Sequence, residues 1–335
     1  MIRSLYRTRD GQLQTDLEPE AFAAARQDAE GLLWIDLTEE PPEVCEPILH
    51  DTFGFHPLAV DDALRETHVP KVDDWGEYLY LVLHAIAFNE QSLDESRHDV
   101  TRTDTYELDI FLGKNYLVSH HDRQIVAVDR VWELCHRDER HLQKGADHLL
   151  YRIADELVTS YMPAVEEMDA AFDEFEDQIV ANPDPGTLEH LFALKRVLLH
   201  HRRILTPQRE VLNKLARDDY AVIDADSRIF FRDVYDHMVR LHDINESMRD
   251  LVGGALDTYL SVINNRMNDT IKTLTIITTM FMPLTFVTGF FGMNFFLPPG
   301  EAPIWATRVL FFVMVVMMIV IPIIMFGWMR KRAWM

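Results

Sequence analysis

TLTIITTMFMPLTFVTGFFGMNFFL, Thr273 to Leu297, and WATRVLFFVMVVMMIVIPIIMFGW, Trp305 to Trp328, decide the architecture of this chain. Each is an apolar stretch close to the roughly 20 residues that a helix needs to cross a bilayer. A buried helix of a soluble core has a similar composition. Two such stretches separated only by Pro298-Pro299-Gly300-Glu301-Ala302-Pro303 fit a membrane hairpin better, because a short segment rich in proline and glycine marks a turn between two helices. Neither stretch lies at the N-terminus, and Met1 to Asp10 holds no apolar run, so no cleaved secretory signal is expected.

Outward from this hairpin the composition changes sharply. From Thr273 onward the charged residues are Glu301, Arg308, Arg330, Lys331 and Arg332, a net +3, against −23 for all 335 residues, so the first 272 residues carry −26. A body of that sign repels nucleic acid and attracts cations. Arg266 and Lys272 precede the first span and Arg330-Lys331-Arg332 follow the second, whereas the loop between them has neither Lys nor Arg. The positive-inside rule then places both termini in the cytoplasm, with lipid around two spans of a multi-pass protein of the cytoplasmic membrane. Arg308 lies near the outer end of the second span, where its long side chain can snorkel to the headgroups. Cys45 and Cys135 are the two cysteines; their wide separation fits a reducing compartment and no disulfide framework.

The acidic body reads as two parts. In residues 1–145, strand-like apolar runs occur at Leu32 to Leu37, Tyr78 to Phe88, Tyr106 to Leu112 and Tyr116 to Ser119. Helical spacing occurs at Pro42 to His50, Pro57 to Arg65, Arg123 to Cys135 and Leu142 to Leu157. This is an α/β cytoplasmic domain. Residues 146–226 predict an antiparallel helical hairpin, kinked at Pro163 and broken at Asn182-Pro183-Asp184-Pro185-Gly186. Its first arm carries an acidic run, Glu166 to Asp177, that reads either as a solvated face or as an attractor of cations toward a pore mouth. Lys195, Arg196, Arg202 and Arg203 of the second arm are placed to pair with it. The adjacent histidines His120-His121 and His200-His201 point to different sides of their elements and make poor joint metal ligands.

After a polar link, Asp218 to Ser227, a helical pattern starts at Ile229 and meets no proline before Pro283. Continued to Met293 it is about 65 residues, on the order of 100 Å at 1.5 Å per residue. Residues 227–272 form its cytoplasmic stalk, 273–297 the first span, 298–304 the outer loop, 305–328 the second span and 329–335 a basic tail. A helix so long must lean on neighbours, so an oligomer is expected. A spacing of 3.5 residues places Asn268, Ile271, Thr275, Thr278, Met282, Thr285, Gly289 and Gly292 in one stripe. Two readings fit it: a small-residue packing seam between membrane helices, or the wall of a water-filled pore narrowed by Ile271, the nearby Leu274 and Met282.

The span ends in Thr288-Gly289-Phe290-Phe291-Gly292-Met293-Asn294-Phe295, and its Gly-Met-Asn triplet resembles the one that closes the first span in the CorA family. The resemblance extends to Asn264-Asn265-Arg266-Met267-Asn268, Met282-Pro283-Leu284-Thr285-Phe286, Phe231 to His237, Leu194-Lys195-Arg196 and, more loosely, Trp34-Ile35-Asp36-Leu37 and Pro70 to Asp74. It implies an α+β membrane protein: a funnel-shaped homopentamer with one pore-lining helix per subunit and Gly292, Met293 and Asn294 as the selectivity filter. It implies a Mg2+ channel, also passing Co2+, with Ni2+ or Zn2+ as further cargoes, held closed by internal Mg2+ at Asp233. Glu90, Asp94 and Glu95 are the candidate partners of Asp233. The outer loop departs from the family's common pattern, and Glu301 remains as its cation-attracting residue. A proton-coupled zinc transporter of the same superfamily is the nearer alternative. A membrane-anchored enzyme or scaffold is the more distant one, and no P-loop, Gly-x-Ser-x-Gly elbow or His-Glu-x-x-His pair supports it; no catalytic residue is assigned.

Overall fold

The computed structural model describes residues 1–65, 67–88, 103–181, 185–293 and 304–331. The chain divides into two compact units, Met1–Leu256 and Asp257–Met335.

The first unit begins with a seven-stranded sheet. Its strands are β1 (Ile2–Arg7), β2 (Leu13–Thr15), β3 (Leu32–Thr38), β4 (Lys71–Asp74), β5 (Leu79–Phe88), β6 (Thr103–Leu112) and β7 (Tyr116–His121), in the order β2-β1-β3-β7-β6-β5-β4. All neighbours are antiparallel except β3 and β7. The β6–β7 turn needs Gly113, because a Cβ there would stand 2.3 Å from the Tyr116 ring. Helices α1 (Pro19–Gln27), α2 (Pro42–Pro47, continued by a π-type turn to Thr52) and α3 (Pro57–Arg65) supply Phe22, Cys45, Leu49 and Val60, and the link between the last two supplies Phe53 and Phe55, to one core with Leu33, Ile35, Tyr80, Phe111 and Val118 of the strands. On the opposite face, Trp34 packs against Trp132 of α4 (Val126–Arg137), with ring centroids 4.8 Å apart. Burial of such side chains, roughly 1.5–3 kcal/mol each, is the main source of stability.

The expected strands and helices of this part are present within a few residues. Four elements went unread: β1, β2, β4 and α1. Strands β2 and β4 are the two edges of the sheet, where strands are short and interrupted by charge, as in Lys71-Val72-Asp73-Asp74, and this blunts pairing with other chains while erasing the apolar run; β1 and α1 are short elements in which polar and apolar residues are mixed.

The helical part consists of α5 (Ala146–Thr159), α6 (Met162–Ala181), α7 (Pro185–Arg217) and the start of α8 (Arg228–Gly292). The kink expected at Pro163 is instead a break: α5 stops at Thr159 and Pro163 falls in the first turn of α6, where a missing N–H costs nothing. Helices α6 and α7 are in contact as a hairpin. The basic arm also reaches α8, where Arg202 meets Glu246 at 3.1 Å and Asn245 donates to the Leu198 carbonyl. Phe231, Val234, Met238, Leu241, Asn245, Met248 and Val252 are buried at alternating spacings of three and four, the pattern that keeps one face of a long helix against its neighbours.

The second unit holds the remainder of α8 and α9 (Ile304–Lys331). Both are long and apolar enough to cross a membrane.

Beneath Trp34 lies a buried polar knot. Asp36 is fully buried and receives Arg3 Nε at 2.8 Å, Thr38 Oγ1 at 3.0 Å and the Ser119 hydroxyl, with His121 Nε2 at 3.1 Å. Burial pushes the Asp36 carboxyl up, but His121, Arg3 and Ser119 outweigh it and hold it down at about 2. The resulting stabilisation is present above the unfolded value of 3.8 and disappears as pH falls through about 2. Asp36→Asn is expected to lower unfolding stability by about 3 kcal/mol or more at neutral pH by stranding Arg3 and His121. Chemical denaturation of wild type and variant should show that gap shrinking between pH 4 and pH 2; a gap independent of pH would contradict the ion-paired state of Asp36.

Candidate ion pathway

Helix α8 is 65 residues long, about 98 Å at the rise of an α-helix. It starts one residue before the position read from the sequence and ends at Gly292. In the second unit its residues fall into two opposed faces. Ile276, Thr279, Met280, Pro283, Leu284, Val287 and Phe291 are wholly or partly covered. The matching stripe of α9 is Met314, Val315, Met318, Ile321, Pro322, Met325 and Met329.

The predicted polar stripe lies elsewhere. Asn268, Ile271, Leu274, Thr275, Thr278, Met282, Thr285, Gly289 and Gly292 are all exposed, Met282 at 69% against 9% for Val287. At 100° per residue the stripe and the covered face are centred about 160° apart around the helix. The stripe is therefore not the seam between the two spans of one chain.

Its threonines share one hydrogen-bonding state. Thr275 donates to the Ile271 carbonyl at 2.7 Å, Thr278 to Leu274 at 2.9 Å and Thr285 to Phe281 at 3.0 Å. A hydroxyl has one proton and two lone pairs, so with the proton committed to the backbone these oxygens present only acceptors outward. Water bound to a cation is a strong donor and suits them.

At the outer end, no heavy atom of the described residues lies within 4 Å of where a Cβ on Gly289 or Gly292 would stand, and neither glycine has a positive φ. Gly292 closes the helix. Met293 is half exposed. Asn294 and Glu301 lie outside the described residues, as do Glu90, Asp94 and Glu95.

Asp233 is exposed on the first turns of α8. The sequence missed a carboxyl whose environment includes the charge of Asp233, that of Asp155 in α5. Burial pushes the Asp155 carboxyl up; Arg152 and His237 oppose this, while the charges of Asp233 and Glu156 add to it. Helical spacing marks Asp155 as a polar position of α5, but its electrostatic coupling to α8 is tertiary and has no local signature. Among the described residues no group of three or more His, Cys, Asp or Glu is placed to hold a metal ion. The histidine pairs separate as expected. His120 sits beside Asp109 at 3.6 Å and His121 beside Asp36; His201 is buried and His200 exposed. Burial lowers His120, but Asp109 and Cys45 outweigh it and raise it to about 10, whereas burial and His200 pull His201 down to about 4.

A sheet-and-helix body joined through one continuous helix to a pair of helices long and apolar enough to cross a membrane is the architecture of a two-span membrane protein. The chain belongs to the CorA-like Mg2+ transporter protein family, which it matches over residues 29–332. It is 34% identical over 303 residues to a cobalt/magnesium transport protein CorA of Thermotoga maritima, covering 90% of this chain and 83% of that one. It is 25% identical over 323 residues to a zinc transport protein ZntB of Yersinia pseudotuberculosis, covering 96% and 92%. Its fold matches the complete structure of the CorA magnesium transporter of Methanocaldococcus jannaschii with a TM-score of 0.79, over 99% of this chain and 98% of that one at 24% identity. The protein is a divalent metal-ion transporter of a membrane.

If the stripe faces water, cysteines placed there react with a charged, membrane-impermeant thiol reagent. Thr278→Cys and Met282→Cys are expected to label in proteoliposomes and Val287→Cys to stay unlabelled, over a silent background because Cys45 and Cys135 are buried. Equal protection of all three would place the stripe against lipid or protein.

Proposed function

We propose that the chain is the subunit of a homopentameric channel that admits Mg2+, and with it Co2+, across the cytoplasmic membrane, with both termini inside. The observation that carries this reading is the uncovered polar stripe opposite the hairpin's own seam. In lipid such a stripe is unfavourable, and two spans cannot enclose a lumen alone, so copies of α8 must turn it inward around a shared pore.

The chemistry suits a hydrated cation. Magnesium gives up its water reluctantly and demands octahedral geometry. Rings of Thr285, Thr278 and Thr275 accept hydrogen bonds from the water shell without displacing it, and Asn268 offers an amide oxygen at the inner end. Gly292, Met293 and Asn294 form the outer filter, where a neutral amide ring holds the ion loosely and Glu301 raises the local cation concentration. Met282 narrows the path, while Leu274 and Ile271 form an apolar constriction that closes by dewetting. Residues 273–297 and 305–328 are the spans, with 227–272 as the stalk.

Control by internal Mg2+ acts at Asp233, and Asp155, whose carboxyl is pushed up in part by the charge of Asp233, is a candidate companion. Facing carboxylates repel; a divalent cation between them removes the repulsion and favours the closed arrangement, and its loss frees the helices. The relative at 34% identity is named for cobalt and magnesium and the one at 25% for zinc, which favours Mg2+ over a proton-coupled Zn2+ transporter.

Two measurements test these roles. Uptake into proteoliposomes followed with Mg2+- and Zn2+-sensitive dyes should show Mg2+ entry down its own gradient, unaffected by a proton gradient and lost in Asn294→Ala; entry of Zn2+ that needs protons would replace the channel with the transporter. In the same vesicles, internal Mg2+ should inhibit the parent and lose at least about tenfold of its potency in Asp233→Asn, equivalent to about 1.4 kcal/mol of binding. Unchanged inhibition would remove Asp233 from the regulatory site.

A further inference from the structure

Strands β5, β6 and β7 set an acid opposite a histidine twice. Register places His84 of β5 across from Glu107 of β6, and Asp109 of β6 across from His120 of β7. Alternation along the strands puts all four on the face where Tyr80, Phe111 and Val118 enter the core, and cross-strand neighbours of opposite charge normally interact. Only the second pair closes. Asp109 has His120 Nδ1 at 3.6 Å and receives the Tyr80 hydroxyl at 2.7 Å. His84 instead donates from Nε2 to the His68 carbonyl at 2.6 Å, and Glu107 accepts the His68 backbone N–H on Oε2 at 2.9 Å. The members of the open pair thus grip the two backbone groups of one residue in the link between α3 and β4.

This leaves Glu107 without a counter-charge of its own. Its Oε1 is buried and accepts no hydrogen bond among the described residues, with the His68 ring at 3.9 Å. Lys71 of β4 is committed to Asp62 of α3 at 2.5 Å and to Asp73 at 3.3 Å. From α7, His200 comes within 3.5 Å of the Thr105 hydroxyl on β6. Glu107, Asp109, His120 and Asp122 line a cavity of about 250 Å3, which reaches solvent beside the exposed Arg65 and Arg123 and has room for several waters. Burial, and then the charges of Asp109 and Asp122, push the Glu107 carboxyl up to about 8 against the pull of the His68 N–H and Lys71.

We propose that Glu107 and His84 form a proton-operated clamp on the α3–β4 link, closed while Glu107 carries a proton on Oε1 and released when that proton passes to water in the cavity. Ionised, Glu107 stands next to Asp109 with no cation to match it, and burying such a charge is costly. The cavity offers the alternative: the carboxylate turns into water and gives up the His68 N–H, and His84 holds the carbonyl alone. Asp109 makes no such move, because His120 and Tyr80 already match its charge. The link leads into β4, the edge strand against which α7 packs, so the clamp makes the hold on that edge depend on the pH around the soluble unit. It is independent of the transport reading and of the role proposed for Asp233.

The test uses the full-length protein in detergent micelles. Infrared difference spectra taken from about pH 6 to about pH 9 should show a protonated-carboxyl band that disappears with a midpoint near 8. The band should be missing in Glu107→Gln and should titrate at lower pH in Asp109→Asn, which removes the neighbouring charge. Over the same range, protection of the His68 amide against hydrogen exchange, corrected for its intrinsic rate, should fall about tenfold in the parent, the loss of one buried hydrogen bond. Protection should stay level in Glu107→Gln, whose amide oxygen still accepts the His68 N–H, and β3 should be unchanged in both. A titrating band that survives in Glu107→Gln, or His68 protection that stays level in the parent, would overturn the clamp; the second readout needs no variant and holds even where Glu107→Gln fails to fold.

Discussion

Inside a bilayer no water is at hand to satisfy a peptide group, so each N–H and C=O must find its partner within the chain. That constraint shapes the second unit of this protein. It turns the first apolar stretch into an unbroken continuation of a helix that begins in the soluble unit, and it explains how Pro283 is accommodated, on the covered face rather than the polar stripe. It also governs the threonines, whose hydroxyls spend their protons on carbonyls one turn back. A polar side chain that bonds its own backbone can lie along an apolar span without breaking the helix.

In the soluble unit the same accounting is met differently. The sheet satisfies most of its groups by pairing, and where β4 stops short the Gln208 and Tyr161 side chains complete β5. Buried charge is handled by enclosure: Asp36 has four partners and is depressed to about 2, whereas Glu107, pressed by burial and by Asp109, is raised to about 8. The two carboxyls face opposite demands: Asp36 is held down beside Arg3, whereas Glu107, which accepts the His68 backbone N–H, is pushed up.

Much of this was readable in one dimension because it depends on periodicity. The spans follow from apolar length, and α8 follows from an absence of proline and a 3.5-residue rhythm that needs no knowledge of neighbours. Strands β3, β5, β6 and β7 were visible because the centre of the sheet is continuously apolar. Charged edge strands such as β4 carry no such rhythm. The break before α6 was misplaced because Pro163 was the visible breaker, while the chain turns at Ser160-Tyr161, where no residue type announces it. The stripe of candidate pore residues was legible from spacing, but that it lies opposite the covered face of α8 was not. Asp155 escaped because its electrostatic coupling to Asp233 is a tertiary effect with no sequence pattern.

In the proposed channel, the commitment of the threonine protons would bear on the sign of the permeating charge. A ring of hydroxyls free to rotate can turn oxygen toward a cation or hydrogen toward an anion, and discriminates poorly between them. Were Thr275, Thr278 and Thr285 to form such rings, hydrogens fixed to the backbone would leave only lone pairs, so chloride or phosphate would meet no hydroxyl donor there while aquated metal would meet an acceptor. A lining of that kind would disfavour anions without bearing any charge, and its preference would be indifferent to pH across the range in which carboxylates titrate.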